Sequence, residues 1–331
     1  MKYVHLHGLS VSQLCIGTWH LPASRQAYSN GILKVDRTAT RNVIKKAVDL
    51  GINFFDTANT YHGTISETHL HPEHSGNAEK ILGDELKGYE RESLVVATKV
   101  RAEVARFPNG GGLSRKHISW QIGESLRRLR MKYVDLYQIH WQDDFTPFVE
   151  TLDTLNDLVH RGQTHYVGVS NHSAASMEKM LQISEEKGFE KFITMQEPYN
   201  IARRDIENDK VAVARKHGLD ILAYVPLAQG ILAGKYRKGI PAGSRASYIP
   251  ELMSEAKRLS KLSSRISEEA SGLDITPAQL CIAWLLRMQQ ELGLSIVPII
   301  GATTSDHVEE NCAAVELRIP DDTFRRLSGR L

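Results

Sequence analysis

Short apolar, β-branched runs alternate with amphipathic stretches along nearly the whole chain. The runs fall at 14–17, 52–56, 94–99, 134–140, 164–169, 193–196, 221–224 and 296–299. Each is almost continuously apolar, the pattern of a strand covered on both faces. The stretches between them have helical periodicity. Over 114–130, Ile118, Ile122, Leu126 and Leu129 recur at spacings of 4, 4 and 3, which draws one stripe on a helix. Asp36 predicts the N-cap of the first helix, and Gly51 lies just past its end. Thr276 before Pro277 predicts an N-cap and first helical residue for 277–288. Residues 3–6 and 11–14 flank Gly8-Leu9-Ser10 and read as a hairpin ahead of the first run.

Eight strands, each followed by a helix, predict an α/β fold, a (β/α)8 TIM barrel with an N-terminal β-hairpin. A doubly wound sheet competes, but no GxGxxG follows the first run. Long βα loops at 62–76, 101–113 and 226–248 follow the second, third and seventh runs. They lie on the face where barrel enzymes hold their sites. Residues 1–331 show no interior repeat or low-complexity segment and read as a single barrel domain.

Composition narrows the function classes. The 331 residues carry 41 Lys and Arg against 39 Asp and Glu, a net charge of +2. That leaves no strong field to recruit nucleic acid or a membrane surface. No apolar run approaches the ~18 residues of a membrane span. The first residues, MKYVHLHGLS, lack the apolar core of a signal peptide, so a cytoplasmic location is expected. Cys15, Cys281 and Cys312 lie far apart with no CxxC pair, which speaks against a disulfide framework and a cysteine zinc site. Oligomeric state stays open, a homo-oligomer included.

The candidate chemistry gathers at successive strand ends. The second run ends in Asp56, with Tyr61 five residues on; the third ends in Lys99 and the fourth in His140. Singly, each has an ordinary explanation: a turn cap, a half-buried aromatic, a snorkelling amine, a core histidine. Together they converge on one rim. A charged Lys99 and Asp56 ending apolar strands are costly to bury unless paired. Pairing them leaves an ammonium beside Tyr61, which is expected to lower the phenol pKa. Tyr61 then serves as proton donor to a carbonyl oxygen, and a neutral His140 donates a second hydrogen bond to it. No metal is needed. His62, His69, His71 and His74 crowd the loop after Tyr61 and read as a polar surface loop near the substrate mouth rather than as metal ligands. A metal-dependent barrel such as a sugar isomerase is disfavoured, because the strand ends lack its carboxylates.

The segments FFDTANTYHG, VVATKV and LYQIH resemble the aldo-keto reductases, whose Asp, Tyr, Lys and His tetrad falls on Asp56, Tyr61, Lys99 and His140. The likeness continues in IGTW at 16–19, GLSRKHI at 112–118, GVSN at 168–171, MQEPYN at 195–200, YVPLAQGILAGKY at 224–236 and IIGATTSDHVEEN at 299–311. GLSRKHI and SRAS at 244–247 are most similar to the branch of potassium-channel β-subunits and related bacterial reductases. The resemblance implies a barrel that binds NADP(H) without a Rossmann fold and reduces aldehydes or ketones to alcohols. It also implies a competing reading, a cofactor-binding redox sensor or regulatory subunit with little turnover.

Site residues carry over one at a time. Gly17, Thr18 and Trp19 lie in the first-strand motif beside the cofactor. Ser170, Asn171 and Gln196 match the positions that hold the nicotinamide carboxamide, and Tyr224 the aromatic stacked on its ring. Pro226, Leu227, Gln229 and Gly230 match the loop that meets the pyrophosphate, and Glu310 and Asn311 the adenine-binding pair. Where many members place Lys or Arg after the final strand, this chain has Gly301-Ala302-Thr303-Thr304 with His307 beyond. That departure points to NAD. Arg245, in SRAS, resembles a residue near the adenosine phosphate and favours NADP through a bidentate grip. Trp19, Tyr28 and Trp141 are expected to line a substrate pocket with an aromatic wall and few charges. That suits small aldehydes or sugar-derived carbonyls and disfavours a strongly anionic substrate.

Overall fold

The chain opens with an antiparallel hairpin, β1 (Tyr3–Leu6) and β2 (Leu9–Ser12). Leu6 pairs with Leu9, so the turn is only His7-Gly8, with His7 at φ 55°. The second strand therefore covers 9–12 and not the expected 11–14. In this tighter register Leu6 and Val11 are fully buried and pack among the barrel's interior side chains. The computed structural model describes residues 1–64, 71–237, 239–240 and 249–329.

Eight parallel strands close into a barrel in chain order. They are β3 (Cys15–Gly17), β6 (Phe54–Asp56), β7 (Val95–Val100), β8 (Val134–Ile139), β9 (Thr164–Ser170), β10 (Phe192–Pro198), β11 (Asp220–Tyr224) and β12 (Ile296–Ile300). All eight apolar runs are strands, with ends shifted by two residues at most. The run at 52–56 enters the barrel register at Phe54, and Asn53 both accepts from Val95 N at 2.7 Å and ties the strand to the hairpin. Ser12 N donates to Asn53 Oδ1 at 2.7 Å, and Asn53 N donates to Ser12 Oγ at 3.2 Å.

Helices cover the outside. They are α1 (Arg37–Asp49), α2 (Asn77–Leu86), α3 (Arg115–Leu129), α4 (Phe148–His160), α5 (Ala174–Lys187) and α6 (Lys210–His217). Three follow β11: α7 (Pro250–Arg258), α8 (Ser260–Gly272) and α9 (Pro277–Leu292). After β12 come α10 (Ser305–Ala313) and α11 (Asp321–Ser328). Asp36 caps α1 by accepting from Ala39 N at 2.9 Å. Thr276 and Gln279 form a capping box on α9, which runs to Leu292 and stops where Gly293 takes φ 62°. The expected end at 288 fell one turn short, since no breaker precedes Gly293. A second hairpin, β4 (Ala23–Ala27) and β5 (Leu33–Val35), follows β3. Its mostly exposed residues carry no apolar alternation, so the pattern did not announce it. Among the described residues no helix is long and apolar enough to cross a membrane.

Strand period 2 divides the core and positions the site. Cys15, Phe54, Val95, Ala97, Leu136, Leu222 and Val297 fill the barrel interior with Leu6 and Val11. The opposite phase, including Phe55, Val96, Val100, Tyr137, Ile139 and Ile221, packs under the helices. Continuing the inward phase by two residues reaches Asp56, Lys99, Gln138 and Tyr224, all at the C-terminal rim.

Helices α2 and α3 meet at a glycine. A Cβ on Gly83 would stand 2.4 Å from the Leu129 carbonyl oxygen and 2.6 Å from its carbon. In a free helix Gly83→Ala would stabilise by roughly 0.5–1 kcal/mol. Forcing the helices apart costs about 1–3 kcal/mol and dominates. Gly83→Ala is therefore expected to lower the urea midpoint with an unchanged slope; a raised midpoint would show that the helices shift freely.

Candidate active site

The inward strand ends place an ammonium and a carboxylate together. Lys99 Nζ donates to Asp56 Oδ1 at 2.5 Å, to the Thr57 carbonyl at 2.9 Å and to Tyr61 Oη at 3.2 Å. All three ammonium protons are used. Asp56 Oδ2 accepts from Gln138 Nε2 at 3.2 Å and Gln196 Nε2 at 2.9 Å. Lys99 and Asp56 are almost wholly buried, at 0% and 2% exposure. Burial opposes charge on Lys99, but Asp56 and Tyr61 outweigh it and raise its pKa.

Tyr61 Oη stands 3.4 Å from His140 Nε2, with the rings edge to face. Its hydroxyl already accepts from Lys99, so its own proton is free to be given. Burial is the larger influence on this phenol and raises its pKa above the usual value despite Lys99. That corrects the expected lowering: desolvation of the phenolate outweighs the single neighbouring cation, itself partly neutralised by Asp56. Burial first, then Lys99 and Arg101, push His140 well below its ordinary pKa, so the imidazole is neutral. Trp141 stacks on it with ring centroids 3.6 Å apart and is 39% exposed at the mouth.

The neighbouring strand ends carry the residues expected to meet a cofactor. Thr18 N and Oγ1 donate to the Asp56 carbonyl at 2.9 and 3.2 Å, and Gly17 pairs with Asp56 in register. Trp19 follows, half-buried. Asn171 takes φ 55°; its Nδ2 donates to the His140 carbonyl at 3.0 Å and to Ser170 Oγ at 2.9 Å. Tyr224 Oη donates to Asn171 Oδ1 at 2.7 Å. Asn171 and Gln196 are thus tied directly to the tetrad, and Tyr224 is tied to it through Asn171. Beyond buried Pro226, Val225, Ala228, Gln229 and Gly230 all have positive φ, and the Gly230 N–H bonds back to Leu227 O at 2.9 Å. Gly301 follows β12. Thr303 Oγ1 lies 3.3 Å from His307 Nδ1, and Thr304 caps α10. Glu310 and buried Asn311 sit further along α10, with Gln279 Nε2 donating to the Glu310 carbonyl. Arg245 lies outside the described residues.

The histidine-rich loop is not a simple polar surface. His62 is fully buried and its pKa is lowered to about 4, by burial first and then by His74 and His71. Its ring packs on Tyr28 and His74, with centroids 5.7 and 5.1 Å away, under the tip of the β4–β5 hairpin. Asn30 Nδ2 approaches His74 Nε2 at 3.2 Å. His69 lies outside the described residues. Among those described, no group of three or more His, Cys, Asp or Glu residues could hold a metal ion.

Sequence reasoning missed Gln138, although its inward phase, two residues before His140 in an apolar strand, marks it. It also missed the pair behind the site. Arg128 Nε donates to Glu79 Oε2 at 2.6 Å, and Thr98 Oγ1 donates to Glu79 Oε1 at 2.6 Å. This fastens the outer face of β7 to α2 and α3 at the residue before Lys99.

Lys99→Met is expected to destabilise the protein by about 3–5 kcal/mol, because it leaves Asp56 buried without its counter-charge. Adding Asp56→Asn should recover at least half of that loss. Urea unfolding of the wild type, the single variants and the pair decides it; additive losses would show that the pair is not coupled.

A family model described as the aldo/keto reductase family matches residues 13–329. A putative voltage-gated potassium channel subunit beta from Schizosaccharomyces pombe is 33% identical, over 95% of this chain and 88% of the relative. An L-glyceraldehyde 3-phosphate reductase from Escherichia coli strain K12 is 30% identical, over 95% and 87%. A probable voltage-gated potassium channel subunit beta from Arabidopsis thaliana is 32% identical, over 96% and 92%. The family match spans the barrel from the first barrel strand to the last helix, and with it the Asp56, Tyr61, Lys99 and His140 rim. On these grounds the chain belongs to the aldo/keto reductase family.

Proposed function

We propose that the protein reduces aldehydes or ketones to alcohols with NADPH, its 331 residues acting as one barrel domain in the cytoplasm. The observation that carries this reading is the Tyr61 hydroxyl, held by Lys99 at 3.2 Å and facing His140 at 3.4 Å. The cofactor fits the chemistry of the neighbouring groups. Ser170, Asn171 and Gln196 offer neutral amides and a hydroxyl for a carboxamide, and Tyr224 offers a ring face. The strained 225–230 loop and the Thr303 and Thr304 hydroxyls suit phosphates. When bound, the reduced nicotinamide supplies the hydride. Tyr61 gives its proton to the carbonyl oxygen as charge develops there. His140 orients that oxygen, and Lys99 stabilises the phenolate left behind until solvent reprotonates it. Trp19, Tyr28 and Trp141 are the proposed substrate wall. Arg245 is the proposed ligand of the 2′-phosphate, with NAD the alternative if it is not.

Names of relatives support two readings. A bacterial reductase of a phosphorylated aldehyde supports turnover of a small carbonyl. Channel β-subunits from yeast and a plant support the second reading, a cofactor-loaded regulatory subunit with little turnover. A carbonyl panel run with NADPH and NADH in parallel separates them; tight cofactor binding with no turnover on any carbonyl favours the second.

Tyr61→Phe keeps the ring and removes the donor. Turnover should fall roughly 10²–10⁴-fold, the usual worth of a positioned acid, while the cofactor Kd from tryptophan quenching stays nearly constant. Comparable turnover in the variant would remove Tyr61 from the chemistry.

The two pKa shifts set the pH dependence of reduction. Tyr61, raised, keeps its proton through neutrality; His140, lowered, does not charge on mild acidification. Reduction should therefore be flat between about pH 6 and 9, with no limb near the ordinary histidine value of about 6.5. An acid limb there that vanishes in His140→Gln would contradict a neutral His140.

A further inference from the structure

The chain leaves β7 at Arg101, two residues past Lys99. Arg101 takes φ 130°, a region that disfavours residues with side chains. Gly112 N donates to its carbonyl at 2.8 Å and holds it there. His140 N donates to the adjoining Val100 carbonyl at 2.9 Å, which locks the two strand ends together. The Arg101 side chain then runs along the 140–142 segment, and its Nε donates to the Gln142 carbonyl at 3.1 Å. Half-buried Arg101 thus sits at the rim with its Nε on the Gln142 carbonyl, and its charge is near enough to act on His140.

That cation has no carboxylate within ion-pair distance among the described residues. Asp143 feels its charge, but both of its oxygens are committed. Its Oδ2 accepts from Leu113 N and Thr146 Oγ1, each at 2.7 Å, and its Oδ1 from Phe145 N at 3.0 Å. His172, also within the Arg101 field, is held neutral by burial. Lys99 is neutralised by Asp56. Among the described residues, the two terminal nitrogens of Arg101 make no hydrogen bond or ion pair, and a guanidinium fork suits a carboxylate or phosphate.

We propose that Arg101 binds an oxyanion carried by the carbonyl substrate and so makes acidic aldehydes the preferred substrate class. The assignment rests on the reductase reading of this site. It departs from the sequence expectation of a pocket wall with few charges.

The test compares kcat/KM for matched pairs: 4-carboxybenzaldehyde against benzaldehyde, and glyceraldehyde 3-phosphate against glyceraldehyde. Comparing Arg101→Gln with wild type cancels the intrinsic reactivity of each aldehyde. The acidic-to-neutral ratio should fall roughly 10–150-fold in Arg101→Gln, the worth of a hydrogen bond to a charged group. The loss should appear mainly in KM, be smaller in Arg101→Lys, and shrink as salt rises. Loss on the first pair alone identifies a carboxylate, and loss on the second alone a phosphate. An unchanged ratio on both pairs overturns the assignment and leaves the reductase reading intact. The same four aldehydes are also titrated by tryptophan fluorescence with NADP⁺ present, where no reduction occurs. Tighter acidic binding that Arg101→Gln abolishes supports Arg101 even if no aldehyde is ever reduced. Equal binding of acidic and neutral members by wild type overturns it.

Discussion

Lys99 and Asp56 meet at 2.5 Å in the wall of an apolar barrel, almost out of reach of water. Removing each charge from water costs several kcal/mol, and attraction repays it only where every remaining donor and acceptor is met. Here they are met from several elements at once. The ammonium spends its protons on Asp56, Thr57 and Tyr61, and the carboxylate takes Gln138 and Gln196 on its other oxygen. One ion pair thereby fixes the relative height of β6, β7, β8 and β10. A one-residue slip in any of these strands would turn its polar side chain outward among the helices and strand the rest.

The barrel gives that pair its two surroundings. Below it, inward residues such as Phe54, Ala97 and Leu136 pack with the N-terminal hairpin, and the floor is buried and apolar. Above it, the strand ends release the chain into loops, where positive φ at Arg101, Asn171 and Val225 can be accommodated. Behind it, Glu79 grips Thr98 and Arg128, so β7 is held from outside by one buried carboxylate and from inside by another. Tyr61 lies at the boundary between the apolar floor and the open rim. Its hydroxyl is buried enough to stay protonated and lies 3.2 Å from the Lys99 ammonium.

This frame is compatible with catalysis and with cofactor-dependent regulation, since fold alone does not choose between them. The rim differs in character from the apolar floor, with Arg101 on one side and the buried histidine cluster on the other. Both arise from loops that follow β6 and β7. The barrel holds the tetrad, and the loops after those strands decide what is presented to it.

How much was legible in the sequence varies with the range of the forces involved. The eight strands follow from local apolar runs, and Asp56, Lys99 and His140 from polar residues ending them. Asp36 and Thr276 announced their helices through capping chemistry confined to a few residues. The hairpin turn was misplaced, because its register depends on Leu6 and Val11 finding the barrel floor. The β4–β5 hairpin was invisible, because its polar strands take their place from neighbours distant in sequence. The direction of the Tyr61 pKa shift was misjudged: a neighbouring cation can be read from spacing, but the depth of burial that outweighs it cannot. The same holds for His62, whose run of histidines looked solvated until Tyr28 and the second hairpin closed over it. Which residues the rim carries was thus determined by the order of residue types along each strand. How deeply each is buried, which partners it keeps and where Arg101 points were decided only when distant segments packed, because desolvation and long-range hydrogen bonds have no counterpart in local sequence.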